Sequence, residues 1–313
     1  MPSSAVHTFT DPDEFISGVR GGIVNMTVTQ RGVFKASVTR IDLYDLWMQR
    51  FWQALPRTLY TSTGIDRAAI VFLTKPATTI RAGVTVGFGS ISRHGTEGGY
   101  SHVSTSPTST GAMSLPMDQF ASLGEAVMGR DLTVPKYTEI LAPSPIMMGR
   151  LLRLHESAAH LAVDAPEVLA HPKAARGLEQ ALIEAMMGCL GGGEAREDGA
   201  AERRHAAIMR RFHRVIEEHI DEPIFVPELC RQVGASARTL LACCQEHLGM
   251  GPKHYLLLRR MHLVRRALRE SGRPGMTVTE IAARYGFWQF GRFAVEYKAL
   301  FGESPSATLA RPV

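Results

Sequence analysis

The stretch Leu-Cys-Arg-Gln-Val-Gly-Ala-Ser-Ala-Arg-Thr-Leu at residues 229–240 decides the fold of the C-terminal third of the chain. Its first half continues a helix that starts at Pro227, since the missing N–H of proline costs nothing in a first helical turn. Gly234 ends this helix, and the hydroxyl of Ser236 can cap the next one, predicted over residues 237–247. Two helices joined by a tight glycine turn form the geometry that sets the second helix into the major groove of DNA.

A second unit with the same pattern lies 52 residues further along, from Gly234 to Gly286. Thr277 and Glu280 have the spacing of a capping box, in which each side chain satisfies a backbone N–H at the start of a helix. Gly286 provides the turn, and the last helix is predicted over residues 289–301. One such match is weak evidence because many helical hairpins turn at a glycine, whereas two at this separation predict a pair of DNA-reading helices.

A long helix is predicted between the two units. Its apolar stripe has the spacing i, i+4, i+7, i+11 of one helix face and consists of Leu257, Met261, Val264 and Leu268. Five arginines lie off that stripe, namely Arg259, Arg260, Arg265, Arg266 and Arg269. These guanidinium groups can meet solvent, carboxylates or phosphates, and the sequence leaves the three alternatives open, with solvated surface charge favoured over phosphate contact.

Residues 204–311 resemble the DNA-binding domain of AraC/XylS-type transcriptional regulators. The resemblance is carried by the stretch at 229–240, by Gly249-Met250-Gly251-Pro252, by Tyr285-Gly286-Phe287, by Phe293, and by the closing Tyr297-Lys298-Ala299-Leu300-Phe301-Gly302-Glu303-Ser304-Pro305. It covers a third of the chain. The resemblance implies two helix-turn-helix units joined by a long helix in a sequence-specific regulator or activator of transcription. Such a protein binds double-stranded DNA, and RNA polymerase is a further candidate partner.

Eight residues on the outer faces of the two recognition helices are the predicted DNA-binding residues: Arg238, Thr239, Leu241 and Ala242 in the first unit, and Gln289, Gly291, Arg292 and Val295 in the second. Arg238 and Thr239 are expected to carry the hydrogen-bond readout of the first unit. Leu241 and Ala242 stand where the family usually has polar or basic residues, and they can offer only apolar contact with thymine methyl groups.

The second unit departs from the family pattern as well. Val295 occupies a place that the family often gives to arginine, so Arg292 and Gln289 are the expected base readers. Trp288 and Phe290 are interpreted as core or domain-contact residues, with DNA contact as the alternative.

The charge of the chain is distributed unevenly. Residues 1–201 hold 17 Lys+Arg against 19 Asp+Glu, whereas residues 202–313 hold 18 against 11. A basic C-terminal region attracts polyanions, of which nucleic acid is the commonest soluble example. The alternative from charge alone is a basic solvated face without a partner.

The N-terminal part has a different character. Short β-branched runs separated by turn residues predict strands over 23–30, 33–43, 55–61, 68–74, 78–87 and 101–106. Strands without long intervening helices favour an antiparallel barrel or sandwich. Two amphipathic helices, over about 148–163 and 174–190, follow and predict a helical hairpin. It packs either on its own barrel or against another subunit.

The chain is therefore expected to be an α+β protein, with a strand-rich sensor domain and helical hairpin followed by an all-α domain. The glycine-rich, charged segment 191–202 predicts a flexible linker between residues 1–190 and 203–313. The resemblance implies that residues 1–190 form a cupin-like domain that senses a small-molecule effector and dimerises, which makes a homodimer the expected assembly.

Candidate ligand-binding residues in the N-terminal part are few. The aromatic residues Tyr44, Trp47, Phe51 and Trp52 can line an apolar pocket, although aromatic residues are more often simply core. His94 and His102 lack the H-x-H arrangement of a metal-binding cupin and are interpreted as surface or hydrogen-bonded histidines. No cofactor or metal is predicted.

The four cysteines, Cys189, Cys230, Cys243 and Cys244, match no zinc spacing and are interpreted as buried thiols in a reducing, cytoplasmic compartment. No signal peptide or membrane-spanning run is recognisable. An alkyl-transfer repair enzyme is one rival function, but it needs an activated cysteine, and no cysteine has a plausible histidine base nearby. A non-specific architectural DNA binder is the other rival, although it needs broad basic coverage more than two spaced readers.

Overall fold

The computed structural model describes residues 1–63, 66–97, 99–129, 132–195, 199–219, 221–270 and 276–311. The strands are β1 (Ser3–Phe9), β2 (Gly22–Val28), β3 (Ala36–Asp42), β4 (Trp47–Gln53), β5 (Arg57–Thr63), β6 (Arg67–Leu73), β7 (Thr78–Arg81), β8 (Val84–Gly87), β9 (Ile91–Arg93), β10 (Tyr100–Ser104), β11 (Thr108–Pro116), β12 (Glu139–Ala142) and β13 (Glu194–Ala195). The helices are α1 (Pro12–Gly18), α2 (Met117–Met128), α3 (Pro145–Asp164), α4 (Pro166–Ala170), α5 (Pro172–Gly191), α6 (Ala200–Glu218), α7 (Val226–Val233), α8 (Ala237–Leu248), α9 (Pro252–Glu270), α10 (Val278–Arg284), α11 (Phe290–Phe301) and α12 (Pro305–Leu309). The expected α+β layout is confirmed.

The strand-rich part consists of two antiparallel sheets. Within the described ranges one sheet has the order β1-β3-β4-β11-β6-β9-β12-β13 and the other the order β2-β5-β10-β7-β8. Side chains alternate between the faces of a strand. On β4, Met48 therefore packs in the core under the helices, while its neighbour Gln49 turns to the space between the sheets. The strand predicted over 78–87 is a hairpin of β7 and β8 that turns at Ala82 and Gly83, both with positive φ.

The helices after the sheets cover one face of the larger sheet. Leu151 of α3 and Leu182 of α5 are fully buried in the same core as Ile70 and Phe72 of β6. Of the two alternatives for the helical hairpin, packing on its own barrel is thus realised. The prolines place the short helix α4 between the two long ones, because Pro166 and Pro172 each open a new helix.

The C-terminal part is built around α9, which belongs to two separate cores. Tyr255 and Leu256 pack with α6, α7 and α8, whereas Met261, Val264 and Leu268 pack with α10 and α11. One continuous helix therefore fixes the two helix-turn-helix units relative to each other.

The segment predicted as a linker, 191–202, includes β13, which pairs with β12, and the start of α6 at Ala200. Its residues 196–198 lie outside the described residues. Within the described ranges no helix is long and apolar enough to cross a bilayer.

Candidate DNA interface and ligand cavity

The first helix-turn-helix unit presents one face of α8 to solvent. Gly234 has φ +64°, a left-handed conformation that ends α7, and the Ser236 hydroxyl accepts a hydrogen bond from the Thr239 backbone N–H at 3.1 Å. Arg238, Leu241 and Ala242 are exposed, while the Thr239 side chain is half-buried and its hydroxyl is hydrogen-bonded to Ser236 Oγ at 2.9 Å. The inward face of α8 carries Leu240, Cys243 and Cys244. All four predicted residues of this unit thus lie on or beside its outer face.

The second unit presents α11 in the same way. Gln289 is its N-cap, and Gln289, Gly291 and Arg292 are exposed together with Val295, which is 70% exposed. Arg292 Nε donates a hydrogen bond to Glu296 Oε1 at 2.7 Å, one helical turn further on. The guanidinium is therefore free to leave this surface ion pair for a base or a phosphate at little cost.

The interpretation of Trp288 as a core or domain-contact residue is wrong. Its side chain is 76% exposed beside the start of α11, and Phe290 is also exposed. The core positions of this unit are taken by Phe287, Phe293 and Tyr297. Two aromatic side chains therefore stand in solvent next to the predicted base readers.

The arginines of α9 contact protein groups. The guanidinium of Arg259 donates to the backbone carbonyl of Glu222 at 2.8 Å, and that of Arg260 lies 4.9 Å over the Phe287 ring. Three others face the acidic start of α1: the ion pairs are Arg265 with Asp11 and Asp13, Arg266 with Asp13, and Arg269 with Asp11 and Glu14. Of the three alternatives, Arg265, Arg266 and Arg269 meet carboxylates, whereas Arg259 meets backbone carbonyls, a partner that the sequence did not indicate.

A cavity of about 370 Å³ lies between the two sheets. It is lined by Phe15, Val19, Arg20, Gly21, Gly22, Trp47, Gln49, Phe51, Gln53, Arg57, Leu59, Thr61, Asp66, Arg67, Ala69, Val71, His94, His102, Thr110, Ala112, Met113 and Ser114. Trp47 and Phe51 thus line a pocket, as the aromatic cluster suggested, whereas Tyr44 and Trp52 lie outside it and are exposed. The volume is in the range of about 300–1,000 Å³ typical of sites for small organic molecules.

His94 and His102 are not surface residues, which corrects one of the two interpretations of them. Both are buried in the cavity wall. Burial and the charge of Arg81 lower the pKa of His94 to about 3, and burial, Arg81 and Arg57 hold the pKa of His102 well below its usual value. Both imidazoles are therefore neutral at ordinary pH. The described residues contain no group of three or more His, Cys, Asp or Glu side chains arranged to hold a metal ion.

The cysteine thiols are poor nucleophiles because their pKa values are raised. Burial raises the pKa of Cys189 and of Cys244 to about 12, and it also raises the pKa of Cys230 and Cys243. An alkyl-accepting cysteine needs the opposite shift, because the thiolate is the reactive form.

Comparison with known proteins agrees with this geometry. A helix-turn-helix domain model matches residues 229–311. The probable thc operon regulatory protein of Rhodococcus erythropolis is 32% identical over 219 residues, which cover 65% of this chain and 62% of that protein. The XylDLEGF operon transcriptional activator 1 of Pseudomonas putida is 38% identical over 103 residues, covering 32% of this chain and 31% of the relative. The C-terminal domain is of the AraC/XylS type.

The chain spans less than two thirds of the length of either relative. The solved structure of the AraC-like transcriptional activator CuxR is 16% identical and has a TM-score of 0.40, covering 83% of this chain and 91% of that one.

The helix-turn-helix domain model begins at Leu229 and therefore does not include α6. Phe212 and Ile216 of α6 nevertheless belong to the core of the first unit.

Sequence reasoning missed the polar wall of the cavity. Gln53, Arg57 and Thr110 stand on three different strands, and none belongs to a recognisable motif. The one usable signal was the alternation along β4, where Trp47 and Phe51 share a face with Gln53.

Proposed function

We propose that this protein is a sequence-specific DNA-binding transcriptional regulator whose AraC/XylS-type domain reads two successive major-groove segments. The observation that carries the proposal is the pair of exposed recognition helices, α8 and α11, that pack against opposite ends of α9. The 19 residues of α9 span about 28 Å at 1.5 Å per residue. That length is comparable to one turn of DNA, about 34 Å, which separates adjacent major-groove segments on one face of the duplex.

The eight predicted residues divide by chemistry. Arg238 and Arg292 can donate two hydrogen bonds to a guanine, and Gln289 can pair with an adenine. Exposed Leu241, Ala242 and Val295 suit the methyl group of thymine, and Thr239 can bond either a base or a phosphate. A Cβ added to Gly291 would meet no atom within 4 Å, so this position leaves room for a close approach of the DNA backbone.

Control by a small molecule is the second part of the proposal. The cavity between the sheets supplies apolar walls and polar groups, as effector sites do. Residues 1–190 would sense the effector and form a homodimer, residues 191–202 would link the domains, and residues 203–313 would bind operator DNA in the cytoplasm, with RNA polymerase as a further partner. The names of the two operon regulators above support the regulatory part of this assignment.

Selection of bound sequences from random duplexes, followed by fluorescence anisotropy on the selected site and on a scrambled one, tests the proposal. We expect specific binding to exceed non-specific binding by about 10³-fold or more at physiological salt. The double variant Arg238→Ala/Arg292→Ala should lose most of this preference, whereas Arg153→Ala, an exposed arginine on α3, should retain it. Equal affinity for both duplexes in the unmodified protein would refute sequence-specific binding.

A further inference from the structure

The cavity has one distinctly polar end, built around Arg57. This side chain is only 2% exposed. Its Nη1 donates a hydrogen bond to Ser104 Oγ at 3.0 Å, and its Nη2 donates to Thr108 Oγ1 at 2.7 Å. These bonds to β10 of the same sheet and to β11 of the opposite sheet hold the cation in a defined place in the wall. A buried guanidinium fixed in this way is suited to binding a planar anion.

Two further polar groups at this end lack partners. Among the described residues, Gln53 Oε1 and Thr110 Oγ1 are buried without a hydrogen-bond partner, and both residues line the cavity. Gln53 lies directly opposite Thr108, which binds Arg57, and Thr110 follows two residues later on the same face of β11. Buried polar groups are nearly always hydrogen-bonded, so the pair marks a place where a polar ligand group is accommodated.

Behind this wall lies a positive charge for which the described part of the chain shows no paired carboxylate. Arg81 is fully buried and lies opposite His102 on the neighbouring strand. Its Nη1 donates only to neutral groups, the Val71 carbonyl and Ser92 Oγ at 3.0 Å each, and within the described ranges its Nε and Nη2 have no partner. A buried cation without a counter-ion favours any anion that enters its field.

The two histidines of the wall do not add charge, because burial lowers the pKa of His94 to about 3 and that of His102 well below its usual value. At the other end of the cavity Arg20 pairs with Asp42 at 2.7 Å. Arg67 stacks 3.9 Å from the Trp47 ring centroid and interacts with the charge of Asp66, which also lines the cavity. Of the two guanidiniums at the Arg57 end, only Arg57 lines the cavity, so direct contact with a cation is available to one negative charge.

The remaining walls are apolar. Phe15 of α1 closes one side, Phe51 and Val71 project from the larger sheet, and Leu59 projects from the smaller one. A ligand with an apolar body and one anionic group matches both parts of the cavity.

We propose that the cavity binds a small organic carboxylate, with the carboxylate group held by Arg57, the Gln53 amide and the Thr110 hydroxyl. Its apolar body lies among Phe15, Phe51 and Leu59. The unpartnered Gln53 Oε1 is an acceptor and would repel a carboxylate, so the amide has to turn over about its last side-chain bond and donate from its N–H₂ group instead. That the ligand acts as an effector rests on the regulatory function proposed above, whereas its binding does not.

Isothermal titration of the full-length protein, without DNA, tests the ligand class with three probes. These are 3-phenylpropanoate, its neutral amide 3-phenylpropanamide, and phenyl phosphate. We expect the carboxylate to bind at least about tenfold more tightly than the amide, since a hydrogen bond to a charged group is the stronger kind. It should also bind more tightly than the phosphate. An amide that binds equally well, a phosphate that binds best, or no binding by any probe would overturn the proposal.

Variants localise the binding. Thr110→Val keeps the shape of the side chain and removes only the hydroxyl, so 3-phenylpropanoate should bind about threefold to tenfold more weakly. Thr79→Val is the matched control, because Thr79 is equally buried and its hydroxyl also lacks a partner in the described residues, but it does not line the cavity. Gln53→Glu places a negative charge beside the anion and should weaken binding further, whereas amide binding should persist. Unchanged carboxylate affinity in both cavity variants would contradict the assignment.

Operator binding by the same preparations, measured separately and without ligand, keeps the two proposals distinguishable. Failure of the unmodified protein to select a DNA sequence would refute the regulatory function, while the titrations would still decide the ligand class.

Discussion

Asp11 Oδ2 lies 2.6 Å from Arg265 Nη2, so the residue that caps α1 is also ion-paired with the helix that joins the two helix-turn-helix units. Its other oxygen, Oδ1, accepts hydrogen bonds from the backbone N–H groups of Asp13 and Glu14 at 2.9 and 3.3 Å. Phe15 on the same short helix lines the cavity between the sheets. Helix α1 therefore touches both the cavity and α9.

We expect Asp11→Asn to lower the free energy of unfolding by about 1–3 kcal/mol. Asparagine still caps the helix, but the largely buried guanidiniums of Arg265 and Arg269 lose a charged partner. Asp42→Asn, which breaks the more exposed ion pair with Arg20, is the control and should cost about 0–1 kcal/mol. Urea denaturation measures the free energy of unfolding of both variants. Equal losses would mean that the ion pair between α1 and α9 contributes no more than the exposed pair of Asp42 and Arg20.

The contribution of the Asp11 ion pairs to the free energy of unfolding depends on pH in a defined direction. Burial alone would raise the pKa of Asp11, but Arg265 and Arg269 outweigh it and lower the pKa below 3.8. The pair therefore stabilises the fold fully above the unfolded-state pKa of 3.8, and that stabilisation disappears as the pH falls through the lower folded-state pKa. The stability difference between the unmodified protein and Asp11→Asn should shrink only below pH 3.8, as acid titrations of unfolding would show.

The buried imidazole of His213 leads us to expect a second, separate dependence of stability on pH. It stacks on Tyr60 with ring centroids 4.0 Å apart, and burial together with His247 lowers the pKa of His213 to about 3. The unfolded chain takes up a proton near pH 6.5 while the folded one does not, so stability is lost as the pH falls from 6.5 towards 3. His213→Phe keeps a ring against Tyr60 and should lose less stability over this window. Identical slopes of unfolding free energy against pH in the two proteins would argue against a buried neutral His213.

Arg292→Ala should weaken operator binding by about 1–3 kcal/mol and relax the preference at one base pair, because a bidentate contact with guanine is local. Glu296→Gln releases the Arg292 guanidinium from its ion pair and should tighten binding slightly. Anisotropy titrations on the operator and on single-base variants, across a salt series, measure both effects. A loss of equal size on every sequence, with a salt slope smaller by about one unit, would assign Arg292 to a phosphate instead.

Gly234→Ala should destabilise the first helix-turn-helix unit by about 1–2 kcal/mol. A Cβ at this position meets nothing within 4 Å, so the cost comes only from the left-handed backbone at φ +64°. Gly177→Ala is the opposite case: it lies exposed within α5 and also meets nothing, so alanine there should stabilise the chain by about 0.5–1 kcal/mol. Thermal unfolding separates the two, and a neutral Gly234→Ala would mean that the turn tolerates another backbone conformation.

The local signals of the C-terminal domain were sufficient to predict its helices. Gly234, Ser236 and the Thr277–Glu280 capping box act within three or four residues of chain, and α8 and α11 end within one residue of the predicted positions. Such elements depend on backbone conformation and on side chains one turn away, which sequence displays directly. The roles of the exposed side chains on α8 and α11 stay predictions.

The sheet was less predictable because its strands pair with distant partners. β11 reads Thr-Ser-Thr-Gly-Ala-Met-Ser-Leu-Pro, small and polar like a loop, yet it lies in the middle of the larger sheet between β4 and β6. The sequence of β4 shows only a cluster of aromatic residues. β11 is stabilised by partners about 40 to 70 residues away, and β4 shares the longer of these pairings in addition to its hairpin with β3, so the composition of each strand carries little of the signal.

The sequence alone therefore determined the two helix-turn-helix units, the helix between them and the strand-rich character of the N-terminal part. Only the tertiary structure brought Gln53, Arg57 and Thr110 to one end of a cavity, and only it placed Asp11 against Arg265, 254 residues further along the chain. The physical reason is the range of the interactions. Caps and helix faces are local, whereas a buried polar wall and an ion pair between domains exist only after distant segments have packed together.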